Sequence, residues 1–238
     1  MSRSSPSFLK VVFFLIPVTL FTSVSSHAQF HVLRGIDEIE ILGGPSLVTF
    51  GGEDWESNKI KIGYSAGLGA AWKLKEKSAI VVKLLSERKG IKFSYETTYF
   101  DDDMQQHTGK VTRITNLNYL TVPITFRYFF DPRNQFLVEI GAYISYLYKA
   151  QAVTESSWRS KDVYNRKNDF TEFDSGLSLL IGYTHPFNNN ISIKFWVNGG
   201  YGLVKIGDES GATGFLNVHN ETLGIGVSLV KHQKVTNE

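Results

Sequence analysis

The chain has 238 residues, of which 42% are hydrophobic, carries a formal net charge of +2 and contains no cysteine. That length suits one domain, and the absence of thiols excludes a disulfide framework, a thiolate metal site and a cysteine nucleophile. The densest basic run is only "KLKEK" at 73–77, far from the basic excess of a nucleic-acid binder, so no nucleic-acid partner is expected.

In chain order, Arg3 and Lys10 precede the apolar run "VVFFLIPVTLF" at 11–21, and Ser26 and Ala28 are placed for signal-peptidase cleavage. This is the pattern of a secretory signal peptide. A membrane-spanning helix needs about 20 apolar residues, and this run has 11. Residues 1–28 are therefore expected to be removed, leaving one domain over 29–238. Without Arg3 and Lys10, 23 of the 25 basic residues remain against 23 acidic ones, so the mature chain is formally neutral.

From residue 37 onward, apolar residues recur at every second position, which is the signature of β-strands. Eight runs show it, near 37–48, 59–73, 77–88, 111–130, 134–149, 171–185, 190–202 and 217–231. In the last, Leu223, Ile225, Val227 and Leu229 share one face while Gly224, Gly226 and Ser228 share the other. The connectors alternate: 49–58, 89–110, 150–170 and 203–216 are long and polar, whereas 74–76, 131–133 and 186–189 are short. An even strand number with short turns at one end and long loops at the other describes an outer-membrane barrel. A soluble barrel would turn its apolar face inward and cover its outside with Lys and Glu. Here the non-apolar face is rich in Gly, Ser and Thr, which suit the narrow lumen of an eight-stranded barrel. Aromatic residues fall at both ends of the apolar face: Trp72, Tyr128, Phe130, Phe136 and Tyr183 at the periplasmic end, and Tyr146, Tyr148 and Tyr201 at the outer end. These are the two girdles of a membrane barrel. The predicted fold is all-β, an eight-stranded antiparallel transmembrane up-and-down barrel in the cell outer membrane.

"NYLTVPITFRYFF" at 118–130 carries Pro123 on its inward face. A closed barrel has no edge strand on which a missing N–H is harmless. A bulge or a broken ladder bond is expected there.

This stretch resembles the "YLxxPxxxxY" strand of the PorT-like outer-membrane β-barrel proteins of Bacteroidetes. The resemblance extends through "IEILGGPSLVTFGG", "LLSERKGIKF", "FLVEIGAYISYLY" and "LGIGVSLV", nearly the whole mature chain. It implies a β-barrel chassis and, from some relatives, a link to protein secretion across the outer membrane. Two departures stand out. Lys83 occupies a third-strand position where many members carry an acidic residue, and the chain continues as "KHQKVTNE" where many barrels end on an aromatic residue.

Several residues are candidates for chemistry. Arg127 and Glu139 both point into the lumen on neighbouring strands, and are expected to form an interior structural pair. A lipid-modifying enzyme needs His, Ser and a carboxylate on the outer rim. Of the mature histidines His31, His107, His185, His219 and His232, only His107 and His219 reach that rim, and nothing in the sequence places Ser94 or Glu96 beside His107. In "DDDMQQH", Asp101, Asp102 and Asp103 lack the spacing of a calcium loop, and a solvated tip is expected. The loop at 154–170 offers Trp158, Arg159 and Tyr164 as partner contacts, since binding residues concentrate on loops of rigid scaffolds. The sequence therefore points to a non-enzymatic scaffold or binding protein without metal or cofactor, in contact with outer-membrane lipid and with envelope or secretion proteins. The alternatives are a small porin-like channel and a lipid-modifying enzyme.

Overall fold

The structure is a computed structural model, described over residues 35–52, 60–101, 103–207 and 218–233. The expected signal peptide at 1–28, the cleavage site, His31, Asp102 and the last five residues lie outside the described residues.

Nine strands form one antiparallel sheet: β1 Glu38–Gly51, β2 Lys61–Lys75, β3 Ser78–Phe100, β4 Gln106–Phe129, β5 Phe136–Ser156, β6 Arg159–Asn165, β7 Phe173–Asn188, β8 Ile191–Gly202 and β9 His219–His232. Each barrel strand pairs with its neighbours in the chain, and β1 pairs with β9 to close the ring. Closure leaves no edge within the wall, which is what a strand-built membrane span requires. Eight strands make the wall. The ninth, β6, pairs only with β5.

Period-two alternation ends at residue 88 and resumes at 111, so 89–110 is expected to be a loop. In the structure this segment is a ribbon that continues the β3–β4 ladder to Phe100↔Gln106. Likewise 150–170 is not a plain loop, because β5 runs on to Ser156 and β6 folds back along it. Beyond the bilayer both faces of a ribbon can be wet, so the period-two signal that marks a strand in lipid is lost there.

The wall alternates as expected. Ile124, Ile140, Ile144, Ile181, Ile225 and Leu229 are all more than half exposed on the outside. Arg127, Glu139, Thr125, Lys194 and Ser228 are buried in the lumen. Burying charge inside while exposing isoleucine outside inverts a water-soluble core, and hydrocarbon around the barrel is the solvent that makes it favourable. At the periplasmic end Phe136 lies 5.9 Å from Phe130 and 5.0 Å from Tyr183, ring to ring. At the outer end Tyr146 and Phe173 are 5.5 Å apart.

Pro123 is buried in the lumen wall, opposite Tyr143 of β5. On its β3 side the register is the same above and below, but the rungs Lys83↔Pro123 and Leu84↔Val122 are missing. The ladder is interrupted without a bulge, because Pro has no N–H to donate. The bulge is on the other side of β4, against β5: Asn118 pairs with Lys149 and Tyr119 with Leu147, leaving Tyr148 as the extra residue of β5.

Candidate functional site

Two polar layers and an apolar cap fill the lumen. The layer nearer the periplasm holds three anions and three cations: Glu38, Glu40 and Glu139, with Lys83, Arg127 and Lys194. Arg127 and Glu139 stand directly opposite each other on β4 and β5. The Arg127 Nε donates to Glu139 Oε1 at 2.8 Å, and Nη1 donates to Glu38 Oε2. From β3, Lys83 Nζ reaches the other Glu139 oxygen. From β8, Lys194 donates to Glu40 and lies 3.4 Å from Glu139. Glu139 has no exposed surface and Arg127 is 2% exposed. Charges this deep persist only when paired on all sides.

Below this layer opens a cavity of about 290 Å³ at the periplasmic mouth. His232 stands on its wall, 2.7 Å from Ser192 Oγ and 3.4 Å from Glu38. Above the layer sits the second polar group. Lys89 lies 3.4 Å from Glu87 and 3.5 Å from Asp174, with its ammonium over the Tyr143 ring at 4.4 Å. Asn220 donates to Asp174 at 2.9 Å, and Thr121 donates to Glu87 at 2.7 Å. An apolar cap that includes Phe50, Ile91, Leu117, Leu147, Phe170 and Ile206 closes the outer end.

Of the six, the sequence singles out Arg127 and Glu139 as a pair and Lys83 as a departure on the third strand, and leaves Glu38, Glu40 and Lys194 unmarked. Their signal was present, because Glu38, Glu40, Lys83 and Lys194 each hold the inward parity of their strands. What parity does not supply is how far around the ring each residue sits.

Outside the bilayer the candidates separate. Trp158 stacks on Tyr99 at 4.2 Å and 10°, and the same Tyr99 stacks on His107 at 5.5 Å. Ser94 instead bonds Thr112 across the ribbon at 3.0 Å, and Glu96 pairs in register with Lys110, so neither is brought to His107. Tyr164 is 51% exposed on β6. The side chain of Arg159 lies outside the described residues. His219 contacts Glu221 at 3.2 Å. His185 is exposed on β7 near the periplasmic turn.

Asp101 organises the ribbon tip. Its Oδ1 accepts the amides of Asp103 and Gln105 at 3.0 and 2.8 Å, and its Oδ2 lies 2.7 Å from His107 Nε2. The amide of Gln105, together with the His107 ring, holds the Asp101 carboxyl below the usual carboxylate range. Among the described residues no cluster of His, Asp and Glu is arranged to hold a metal ion.

The sequence profile of the family described as "Outer membrane protein beta-barrel domain" matches residues 37–206. The chain belongs to that family. This outer-membrane barrel matches no curated protein. Among solved structures it is similar to Ail of Yersinia pestis, at 12% identity over 82% of this chain and 99% of that one, with a TM-score of 0.41. It is also similar to Neisserial surface protein A, at 11% identity over 82% and 97% of the two chains and a TM-score of 0.44. A third likeness is OprG of Pseudomonas aeruginosa, at 11% identity over 84% and 98% and a TM-score of 0.36.

Proposed function

We propose that this outer-membrane barrel is a non-enzymatic, non-conducting scaffold that presents its outer ribbon to a protein of the envelope or of a secretion assembly. The observation that carries the reading is the filled lumen. A solute path would have to part six mutually paired charges and then an apolar cap. An eight-stranded barrel has little interior beyond its own side chains.

The ribbon supports the binding half of the reading. Among the described residues, β3 from Lys89 to Phe100 pairs in the ladder with β4 alone, and β5 and β6 extend the same sheet. On it Tyr95, Phe100, Met104, Val163 and Tyr164 are exposed beyond the membrane, where apolar side chains mark interaction surfaces. The PorT-like resemblance favours a secretion or envelope partner. A reading as enzyme finds no support in the Ser94, Glu96 and His107 geometry.

Planar-bilayer recording tests closure: the purified barrel gives no reproducible open steps, and regular steps would overturn the reading. Photo-crosslinkers at Phe100 and Tyr164 in whole cells test the surface. One dominant protein adduct, lost when 91–108 is replaced by a short turn, is the expected result.

A further inference from the structure

The structure assigns to the outer wall of β3, β4 and β5 a binding site for the phosphorylated headgroup of an outer-leaflet lipid, built from Arg88, Lys149 and Lys92 beside Tyr64 and Tyr148.

Height comes first. Tyr128 belongs to the periplasmic girdle, and Asn118 lies ten residues up the same strand. At about 3.3 Å per residue and a tilt of about 40°, that separation is roughly 25 Å along the membrane normal, the height of the apolar band of such barrels. Arg88 on β3 and Lys149 on β5 are the register partners of Asn118, and with strands about 4.8 Å apart at that tilt each lies within about 3 Å of its height, one above and one below. Tyr64 of β2 is the register partner of Arg88. The row Tyr64, Arg88, Asn118, Lys149 therefore crosses the wall at a slant, centred on the outer boundary between hydrocarbon and headgroups.

The row is ordered for an anion. Arg88 donates its Nε to Asn118 Oδ1 at 3.1 Å, and its guanidinium lies over the Tyr64 ring at 5.2 Å. Those contacts fix the plane of the fork, and among the described residues its terminal nitrogens are in no ion pair. Planar, bidentate recognition of phosphate is what a fixed guanidinium does well. Asn118 is held in turn by the Lys149 carbonyl at 3.4 Å. The β5 bulge places Lys149 immediately beside Tyr148, both exposed on the lipid side. Bulges commonly re-aim a side chain in this way. Lys92 stands two outward positions above Arg88, about 13 Å along the strand, and is exposed. It offers a second contact to a headgroup with more than one phosphate.

Among the described residues no ion pair involves Arg88, Lys92 or Lys149. Of the acids on these strands, Glu87 is turned inward to Lys89, Glu155 pairs with Lys161 at 2.9 Å, and Glu96, four residues above Lys92, stands in register with Lys110. Across the barrel the upper outward positions hold Tyr201 and Glu221, register partners on β8 and β9. Beneath the basic row Leu120 and Tyr146, with Leu84 below Ser86 on β3, present a largely apolar wall to acyl chains. Basic head above, apolar wall below, is the complement of an anionic lipid and of no soluble anion.

Native mass spectrometry of the full barrel in neutral detergent tests this, with bisphosphorylated lipid A and the same lipid after phosphatase treatment as probes. The phosphorylated lipid is expected to remain bound at activations that strip the dephosphorylated one, with about tenfold greater occupancy. The triple variant R88A/K92A/K149A loses that difference, whereas K110A, a basic residue higher on the ribbon, keeps it. Unchanged heat-modifiable mobility shows that the triple variant is folded. Equal occupancy by both lipids, or full retention by the triple variant, overturns the site. Displacement of the lipid by equimolar inorganic phosphate would make phosphate alone the ligand and equally overturn it.

Discussion

Glu139 stands opposite Arg127 on the neighbouring strand and takes its Nε–H at 2.8 Å, yet it is also the acceptor for Lys83 and lies 3.4 Å from Lys194. One carboxylate thus ties β5 to β3, β4 and β8. Replacing Glu139 with Gln leaves three cations facing two anions in the buried layer. The expected loss of stability is about 3–5 kcal/mol, as for any buried pair deprived of one member. The double variant E139Q/K83M restores the balance of charge and should recover a substantial part of that loss. Denaturant titrations in detergent, read by the mobility of the unboiled band, measure both. Simple addition of the two single effects would show that the charges act independently.

Gly90 marks the point where β3 leaves the wall for the ribbon. Its φ is +127°, and a Cβ there would lie 2.1 Å from the Thr115 carbonyl oxygen. Gly90→Ala therefore combines an unfavourable backbone region with a clash against the partner strand. A cost of about 1–3 kcal/mol is expected. The same substitution at Gly199, where the nearest atom is 4.0 Å away, should be close to neutral. Comparing folded yields of the two variants decides whether the kink is needed.

Trp158 covers Gly109 and stacks on Tyr99, so an aromatic contact joins the Ser157 N–H bond to the Lys110 carbonyl in fastening the β5–β6 turn to the ribbon. Such a pair is worth about 0.5–1.5 kcal/mol beyond its buried area. Trp158→Ala should raise amide exchange around 97–110 while leaving the barrel strands protected. Unchanged exchange at the tip would show that the ladder alone holds it.

The ribbon tip should also respond to acid through Asp101. Its carboxyl is held below the ordinary range by the Gln105 amide and the His107 ring. A depressed folded value means that its stabilising effect is present above the unfolded value of about 3.9 and is lost as pH falls through the folded one. Carboxyl-carbon NMR should place its midpoint below that of ordinary aspartates, and Asp101→Asn should abolish the acid-induced loosening of residues 101–107. A midpoint at or above the ordinary value would refute the contact.

Eight runs of alternation, clearest where Leu223, Ile225, Val227 and Leu229 oppose Gly224, Gly226 and Ser228, together with the connector lengths and the aromatic ends, made a membrane barrel legible in the sequence. Period two plus the chemistry of each face determines which side meets lipid, and a closed meander with short turns at one end has few other ways to fold. The inward parity of Arg127 and Glu139 was legible for the same reason, since a tight turn sets their register. Tertiary structure alone decided what lies across the lumen. Strand tilt and stagger bring Lys194 of β8 to Glu40 of β1 and Glu139 of β5, three strands far apart in sequence. It also decided the outer ribbon, because "IKFSYETTYF" has no dry face to enforce alternation and is held as a strand only by its ladder to β4. Side-chain periodicity is a local property of the chain, whereas closure of the ring and the heights at which residues meet are set by all eight strands together.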